Sequence, residues 1–513
     1  MLVKTFGSAV YGVDAITITI EVNVMSGREY YIVGLPDNAV KESLQRVESA
    51  IKTNGYFMPR TKLVINMAPA GIKKSGSAFD LPIAMGTLGA TEQLQHPEKL
   101  TEYIIMGELN LDGSIHPIKG ALPIAITTRR EGFKGLILPK QNSQEAGLVN
   151  NLNVYGVSHL SEVIEFFRDE NSLRAVVVNT REEFLLAQAD YEIDFEDVKG
   201  QSDIKRALEI AAAGGHNAIL IGSPGAGKTM LAKRLPTILP PLTLIEALET
   251  TKIHSVSGKL MNNSALISKR PFRSPHHTIS DIGLVGGGAV PQPGEISLAH
   301  NGVLFMDELP EFRRTVLEVL RQPLEERKVT ISRSKLTVDF PANFMLLASM
   351  NPCPCGFYNH PDKACCCLPG SVQKYLNKLS GPLLDRIDLH VEVTPVPYNQ
   401  LTDPLGSESS LSIRQRVIAA RAIQQERYKD AEGIYSNAMI SAKMQNAVMR
   451  IDQAGQNLLK NAMNRLSLSA RAYDRILKVS RTIGDLEKSE NIKTEYIAEA
   501  IQYRSLDRDG WAG

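Results

Sequence analysis

The sequence predicts an α/β protein organised around a phosphate-binding loop, with a second α/β domain before it and a helical region after it. Three observations predict this. An apolar run at 217–222 leads into Gly222, Ser223, Pro224, Gly225, Ala226, Gly227, Lys228 and Thr229, a full G-x-x-x-x-G-K-[ST] pattern. A second apolar run at 302–306 ends in the adjacent carboxylates Asp307 and Glu308. After a Pro/Gly/Ser-rich stretch at 395–412 the pattern becomes almost wholly helical.

The run before the loop reads as a short buried parallel strand, and 228–235 as the helix behind it. The loop therefore sits at a strand-to-helix junction, where backbone N–H groups converge on an anion. Its glycines let the backbone wrap phosphates, Lys228 reaches the β- and γ-phosphates, and the Thr229 hydroxyl suits Mg²⁺. A buried strand does not end in Asp-Glu for packing, because unpaired carboxylates are costly to desolvate. Asp307 suits a Mg²⁺ contact through water, and Glu308 suits polarising the water that attacks a γ-phosphate. Hydrolysis of ATP or GTP is the expected chemistry.

At 513 residues the chain exceeds a single core and suggests roughly three domains. We expect an N-terminal domain at 1–178, a linker at 179–195, the nucleotide-binding core at 196–397 and a helical domain at 398–513. In the first domain, β-like runs at 30–35, 61–67, 103–106 and 135–138 alternate with amphipathic stretches at 38–54 and 81–91. Net charge is +1, so nucleic-acid contact would need a local basic surface. No run approaches about 18 apolar residues, so no transmembrane helix is expected. The alternation of Ile16, Ile18, Ile20, Val22 and Val24 with polar residues reads as a half-buried strand and not a signal peptide, which predicts a cytoplasmic protein.

All five cysteines lie in 353–367, an insertion within the core domain. In a chain with no export signal, such clustering favours a metal knuckle over disulfides. The candidate zinc ligands are Cys353, Cys355, Cys365 and Cys367, with His360 or Cys366 as substitutes. Free thiols on a loop and a redox role are the alternatives. A four-ligand site leaves no open position, so the metal would be structural.

Two insertions point toward a substrate. The segment 273–288 is rich in Gly, His and Ser and reads as a mobile loop. At 327–340, Val329, Ile331, Leu336 and Val338 alternate with polar residues, which predicts a hairpin. Arg327, Lys328, Arg333 and Lys335 in it are candidates for contacting DNA phosphates, and no acidic residue intervenes before Asp339. A solvated hairpin guarded by edge charges is the plainer reading.

These motifs carry a resemblance. Together with Arg273-Ser-Pro-His-His277, Pro293-Gly-Glu-Ile-Ser-Leu-Ala-His300, Ser349-Met-Asn351-Pro, Gly381-Pro-Leu-Leu-Asp385-Arg386 and Leu468-Ser-Ala-Arg471, they make the chain similar, over essentially its whole length, to the Mg-chelatase-like AAA+ ATPases of the competence-associated ComM (YifB) type. The resemblance implies a Lon-protease-like (S5-like) N-terminal domain, an AAA+ P-loop core with a parallel sheet, and a Mg-chelatase-type helical lid. It implies ATP and Mg²⁺ as cofactors and a homo-hexamer acting on single-stranded or branched DNA, as a translocase or branch-migration helicase. Within it, Asn351 corresponds to sensor 1, Arg386 to an arginine finger delivered to a neighbour's nucleotide, and Arg471 to sensor 2, closing a lid onto the phosphates. The segment Val198-Lys-Gly-Gln201 would contact adenine, which favours ATP. Ser77 stands where Lon enzymes hold a nucleophile, but Leu122 replaces the catalytic lysine, leaving a serine without a base. The domain is therefore expected to be non-proteolytic, with Lys119 nearby. A Mg-chelatase motor subunit is the rival reading.

Overall fold

The computed structural model describes all residues except 182–183, 185–190, 261–264, 289, 334–335, 361, 397–406, 432, 467 and 508–513. Eight of the 17 residues of the expected linker at 179–195, 182–183 and 185–190, lie outside the described residues. The N-terminal domain begins with β1 (Leu2–Tyr11), β2 (Asp14–Met25), β3 (Tyr30–Val33), α1 (Asn38–Thr53), β4 (Lys62–Ala68) and α2 (Asp80–Ala90). It continues with β5 (Tyr103–Ile105), α3 (Ala121–Arg130), β6 (Gly135–Pro139) and β7 (Asn153–Val157). The strands form one seven-stranded sheet in the order β3-β4-β2-β1-β5-β6-β7. Strands β1, β2 and β4 pair antiparallel and the remaining pairs are parallel.

Local chemistry sets these elements. Ile18, Ile20 and Val22 are fully buried on one face of β2, as the alternation required. Helix α1 starts at Asp37, whose carboxylate accepts from the Val40 N–H at 2.9 Å. Helix α2 is buried along its whole length, which suits its nearly all-apolar sequence. Strands β1 and β7 were not anticipated; in β1, Lys4, Gly7 and Ser8 dilute the period-two signal.

The central domain carries α4 (Ser202–Gly214), β8 (Ala218–Gly222), α5 (Lys228–Ile238), α6 (Leu244–Ser257), β9 (Phe272–Arg273) and β10 (Val303–Met306). A hairpin of β11 (Lys328–Arg333) and β12 (Leu336–Pro341) follows, then β13 (Met345–Met350) and β14 (Leu389–Val393). Five strands form a fully parallel sheet in the order β9-β10-β13-β8-β14. Both faces are covered, so Ala218 and Leu220 of β8 enter one apolar cluster while Ile219 and Ile221 enter another. Between β10 and the hairpin lie two short helices, Arg314–Glu318 and Arg321–Glu326. Pro323 is tolerated in the first turn of a new helix but would clash with the preceding turn of a continuous one.

The C-terminal region is helical, as expected, with α7 (Ser410–Arg427), α8 (Gln453–Arg465), α9 (Ala470–Leu486) and α10 (Thr494–Gln502). It shares its core with α4: Ile413, Val417, Ile476 and Ile483 pack in the cluster that holds Leu208 and Ile210. A buried polar node ties it to the sheet. Asp388 pairs with Arg475 at 3.0 Å and with His216 at 3.2 Å. Burial opposes ionisation of Asp388, but Arg475 and then His216 hold its carboxyl well below the usual range.

The N-terminal domain is attached to the central domain through α6. Leu242 and Ala247 join the N-terminal apolar core. The Gly120 N–H donates to the Ser255 carbonyl at 3.1 Å, and Lys252 pairs with Asp14 at 2.7 Å.

Candidate nucleotide site

The site forms at the C-terminal ends of β8, β10 and β13, where a parallel sheet presents its ligand crevice. Gly225 and Gly227 adopt φ of 81° and 88°, left-handed values that let the loop between β8 and α5 curl back on itself. Lys228 Nζ donates to the carbonyls of Gly222 at 2.6 Å and Ser223 at 3.0 Å, and to Asn351 Oδ1 at 3.1 Å. Burial lowers its pKa, and Asp307 and Glu308 oppose that shift. Three predicted residues therefore converge on one ammonium group. Thr229 Oγ1 donates to Asp307 Oδ2 at 2.9 Å, so the hydroxyl and carboxylate suited to Mg²⁺ are adjacent.

Glu308 has φ of 54°, a left-handed conformation that costs a non-glycine residue energy and is typical of functional sites. Its N–H donates to Asp307 Oδ1 at 3.1 Å and to Ser349 Oγ at 3.3 Å, and its carboxylate stands 57% exposed toward the crevice. Two partners were not singled out from sequence. Ser349 Oγ donates to Asp307, and His277 Nδ1 lies 3.6 Å from Glu308 Oε2. His277 belongs to the Gly/His-rich segment, which thus reaches the carboxylate it was not expected to meet. Gln201 holds the loop's flank, donating to the Ala226 carbonyl at 3.0 Å and the Thr394 carbonyl at 3.3 Å.

Arg386 and Arg471 lie elsewhere. Arg386 Nη2 pairs with Glu325 at 2.5 Å and Nη1 donates to the Pro382 carbonyl. Arg471 pairs with Asp385 at 2.9 Å. Both precede or flank the start of β14, beside Ala218 at the start of β8, whereas the phosphate loop leaves the other end. Five residues of strand separate the two ends by roughly 16 Å. In this arrangement Arg471 is held by Asp385 and makes no bond to the phosphate loop among the described residues.

The cysteine loop follows Asn351 directly. Sγ atoms of Cys353, Cys355, Cys365 and Cys367 lie within 4.8 Å of one another. The separations among the first three are 3.3, 3.8 and 3.5 Å. A tetrahedron of thiolates about 2.3 Å from zinc has edges of about 3.8 Å, so the donor set fits such a metal. Of the two substitutes, Cys366 is exposed, and His360 Nδ1 is engaged by the N–H groups of Asp362 and Lys363 at 3.0 and 3.2 Å. Backbone N–H groups, that of Phe357 first, lower the Cys355 thiol to about 6, which favours the thiolate.

The basic hairpin forms as expected, and its strands pair with Lys328 opposite Pro341 and Arg333 opposite Leu336. Arg327 and Lys328 are at its foot and not near its tip. Arg327 adopts φ of 56° at the end of helix Arg321–Glu326, and its guanidinium turns inward to donate to the Phe344 carbonyl at 2.8 Å. Lys328 is paired with Asp339 at 2.8 Å. Arg333 occupies the tip-proximal end of β11 with its side chain outside the described residues, as is all of Lys335.

In the N-terminal domain, Ser77 Oγ donates to Glu108 and Leu122 is fully buried at the start of α3. Among the described residues no helix is long and apolar enough to cross a membrane.

Comparison with known proteins gives three family-model matches: magnesium chelatase subunit ChlI at residues 194–401, subunit ChlI of Mg-chelatase at 20–142, and the ChlI C-terminal region at 407–504. The competence protein ComM of Haemophilus influenzae is 42% identical over 510 residues, covering 99% of this chain and 98% of that protein. The uncharacterised protein YifB of Escherichia coli is 42% identical over 507 residues, covering 98% and 96%. Lon protease 2 of Bacillus subtilis is 33% identical over 149 residues, 26% of each chain.

Proposed function

The chain belongs to the ComM/YifB family of Mg-chelatase-like AAA+ proteins, and from that premise we propose that it is a ring-forming, ATP-driven DNA translocase that promotes branch migration during recombination or natural transformation. The observation behind the ring reading is that Arg386, the counterpart of an arginine finger, sits just before β14 at the end of the sheet opposite the phosphate loop, paired with Glu325 and the Pro382 carbonyl. A homo-hexamer is the closed ring this reading takes. In it, Lys228, Thr229 and Asp307 hold ATP and Mg²⁺, Glu308 orients the attacking water, and Asn351 senses the γ-phosphate. Arg386 from the next copy stabilises the charge of the transferring phosphoryl group. The similarity to Lon protease supports a Lon-like N-terminal domain, and Ser77 bonded to a carboxylate, with buried Leu122 in the lysine's place, supports its being non-proteolytic.

For DNA, the hairpin tip with Arg333 and Lys335 is the proposed contact, and Arg327 and Lys328 are assigned no part in it because both are engaged at the foot. Replacing Arg333 and Lys335 together by alanine is expected to weaken binding of forked DNA and to reduce the salt slope by about 1.8 for duplex and about 1.4 for single-stranded DNA, two phosphate contacts being lost. ATP affinity should be unchanged. Stimulation of ATPase by forked or single-stranded DNA tests the function itself. A wild-type protein that responds to no DNA would leave the chelatase-type motor as the better reading.

The four-thiolate cluster is proposed to hold one structural Zn²⁺ through Cys353, Cys355, Cys365 and Cys367. Elemental analysis of protein purified without chelator should give about one zinc per chain, and Cys353→Ser with Cys355→Ser should abolish it.

A further inference from the structure

We propose that the cysteine loop is a wall of the nucleotide pocket, so that metal at the four thiols and nucleotide at the phosphate loop bind cooperatively. This rests on the zinc assignment made above. The loop leaves β13 at Asn351, whose amide is bonded to Lys228, and Cys353 is buried two residues later. It then presses Gly356 against the phosphate loop. Gly356 has φ of 82°, and a Cβ there would lie 2.5 Å from Pro224 Cδ and 2.9 Å from Cγ. Only a glycine turn can approach Pro224 so closely. Between the two loops lies a small cavity of about 60 Å³ lined by Gly222, Ser223, Gly356, Tyr358 and His360.

The turn carries local backbone hydrogen bonds, from the Gly356 N–H to the Cys353 carbonyl at 3.0 Å and from the His360 N–H to the Phe357 carbonyl at 3.2 Å, whereas the sulfurs join its two ends. From Asn351 to Gly370 the described residues form no helix or strand, and Cys366, Leu368 and Lys363 are exposed. A segment with so few buried apolar groups does not fold on packing alone, and a metal joining residues 353, 355, 365 and 367 supplies the missing restraint. The restraint acts where it matters for nucleotide: on Pro224, which shapes the phosphate loop, and on Asn351, which anchors Lys228. If metal orders the surface that nucleotide requires, each ligand raises the other's affinity by the same factor.

The test uses the full chain. Zinc is stripped with a chelator, the protein is returned to Mg²⁺ buffer, and affinity for a fluorescent ATP analogue is compared before stripping, after stripping and after adding Zn²⁺. We expect affinity to fall at least tenfold and to return with zinc. Reciprocally, a saturating non-hydrolysable ATP analogue should slow zinc release to a colorimetric chelator by a similar factor in wild type and not in Lys228→Ala. Because stripped protein can unfold, Gly356→Ala gives an independent reading with the ligands intact: it should retain one zinc yet bind nucleotide at least tenfold more weakly, while Cys366→Ser changes neither. Zinc bound with nucleotide affinity unaltered by stripping, and by Gly356→Ala, would overturn the coupling and leave the metal site standing. Absence of zinc from purified protein would defeat the metal assignment and the coupling together.

Discussion

Replacing Lys228 by alanine is expected to reduce ATP affinity by at least about a hundredfold, since two charge-assisted hydrogen bonds to phosphate at about 1.5–3 kcal/mol each are lost. The structure shows why the effect should be clean. The ammonium group is already gathered by Gly222, Ser223 and Asn351, so removing it leaves carbonyls that face the phosphates without a counter-charge. Glu308→Gln should behave differently. Its carboxylate is 57% exposed and forms no salt bridge with Lys228 among the described residues, so ATP should bind with near-normal affinity and turnover should fall by orders of magnitude, trapping an assembled ring. Equal affinity of wild type and Lys228→Ala for a fluorescent ATP analogue would refute the phosphate-loop assignment.

Arg386→Ala is expected to lose about 10³–10⁵ in turnover while keeping ATP affinity within a few-fold, the pattern of a group that acts on the transition state from outside the binding pocket. In the isolated chain this guanidinium is engaged by Glu325 and the Pro382 carbonyl and is only 13% exposed. Docking onto a neighbour must therefore exchange Glu325 for phosphate. Mixing inactive Arg386→Ala with inactive Lys228→Ala should restore part of the activity, because a Lys228→Ala protomer still offers Arg386 to the next site. A mixture as inactive as its components would sink the trans assignment.

The catalytic strand ends were legible because their signals are local: an apolar run, then glycines and Lys228, or an apolar run, then Asp307 and Glu308. Their partners were not. Ser349 and His277 reach Asp307 and Glu308 from 42 residues after and 31 residues before, and nothing in their own neighbourhoods announces the contact. The hairpin was legible from alternation, but the direction of its charges was not, since Arg327 turns inward through a left-handed backbone that composition does not encode. Strand β1 was missed for a related reason: paired on both sides by β2 and β5, it tolerates polar and small residues that blur the period. The cysteine cluster was evident at once. Its pressure on Pro224 was not, because a close approach between loops is a property of the fold and not of either segment.

Helix α6 begins at Leu244, only residues 239–243 beyond the end of the helix that carries Lys228, and it is sunk into the core of the N-terminal domain. The N-terminal domain is thereby joined to the phosphate-loop helix by one short connection and a packed helix. A shift of the phosphate-loop helix on nucleotide binding would therefore be passed to the N-terminal domain through this contact.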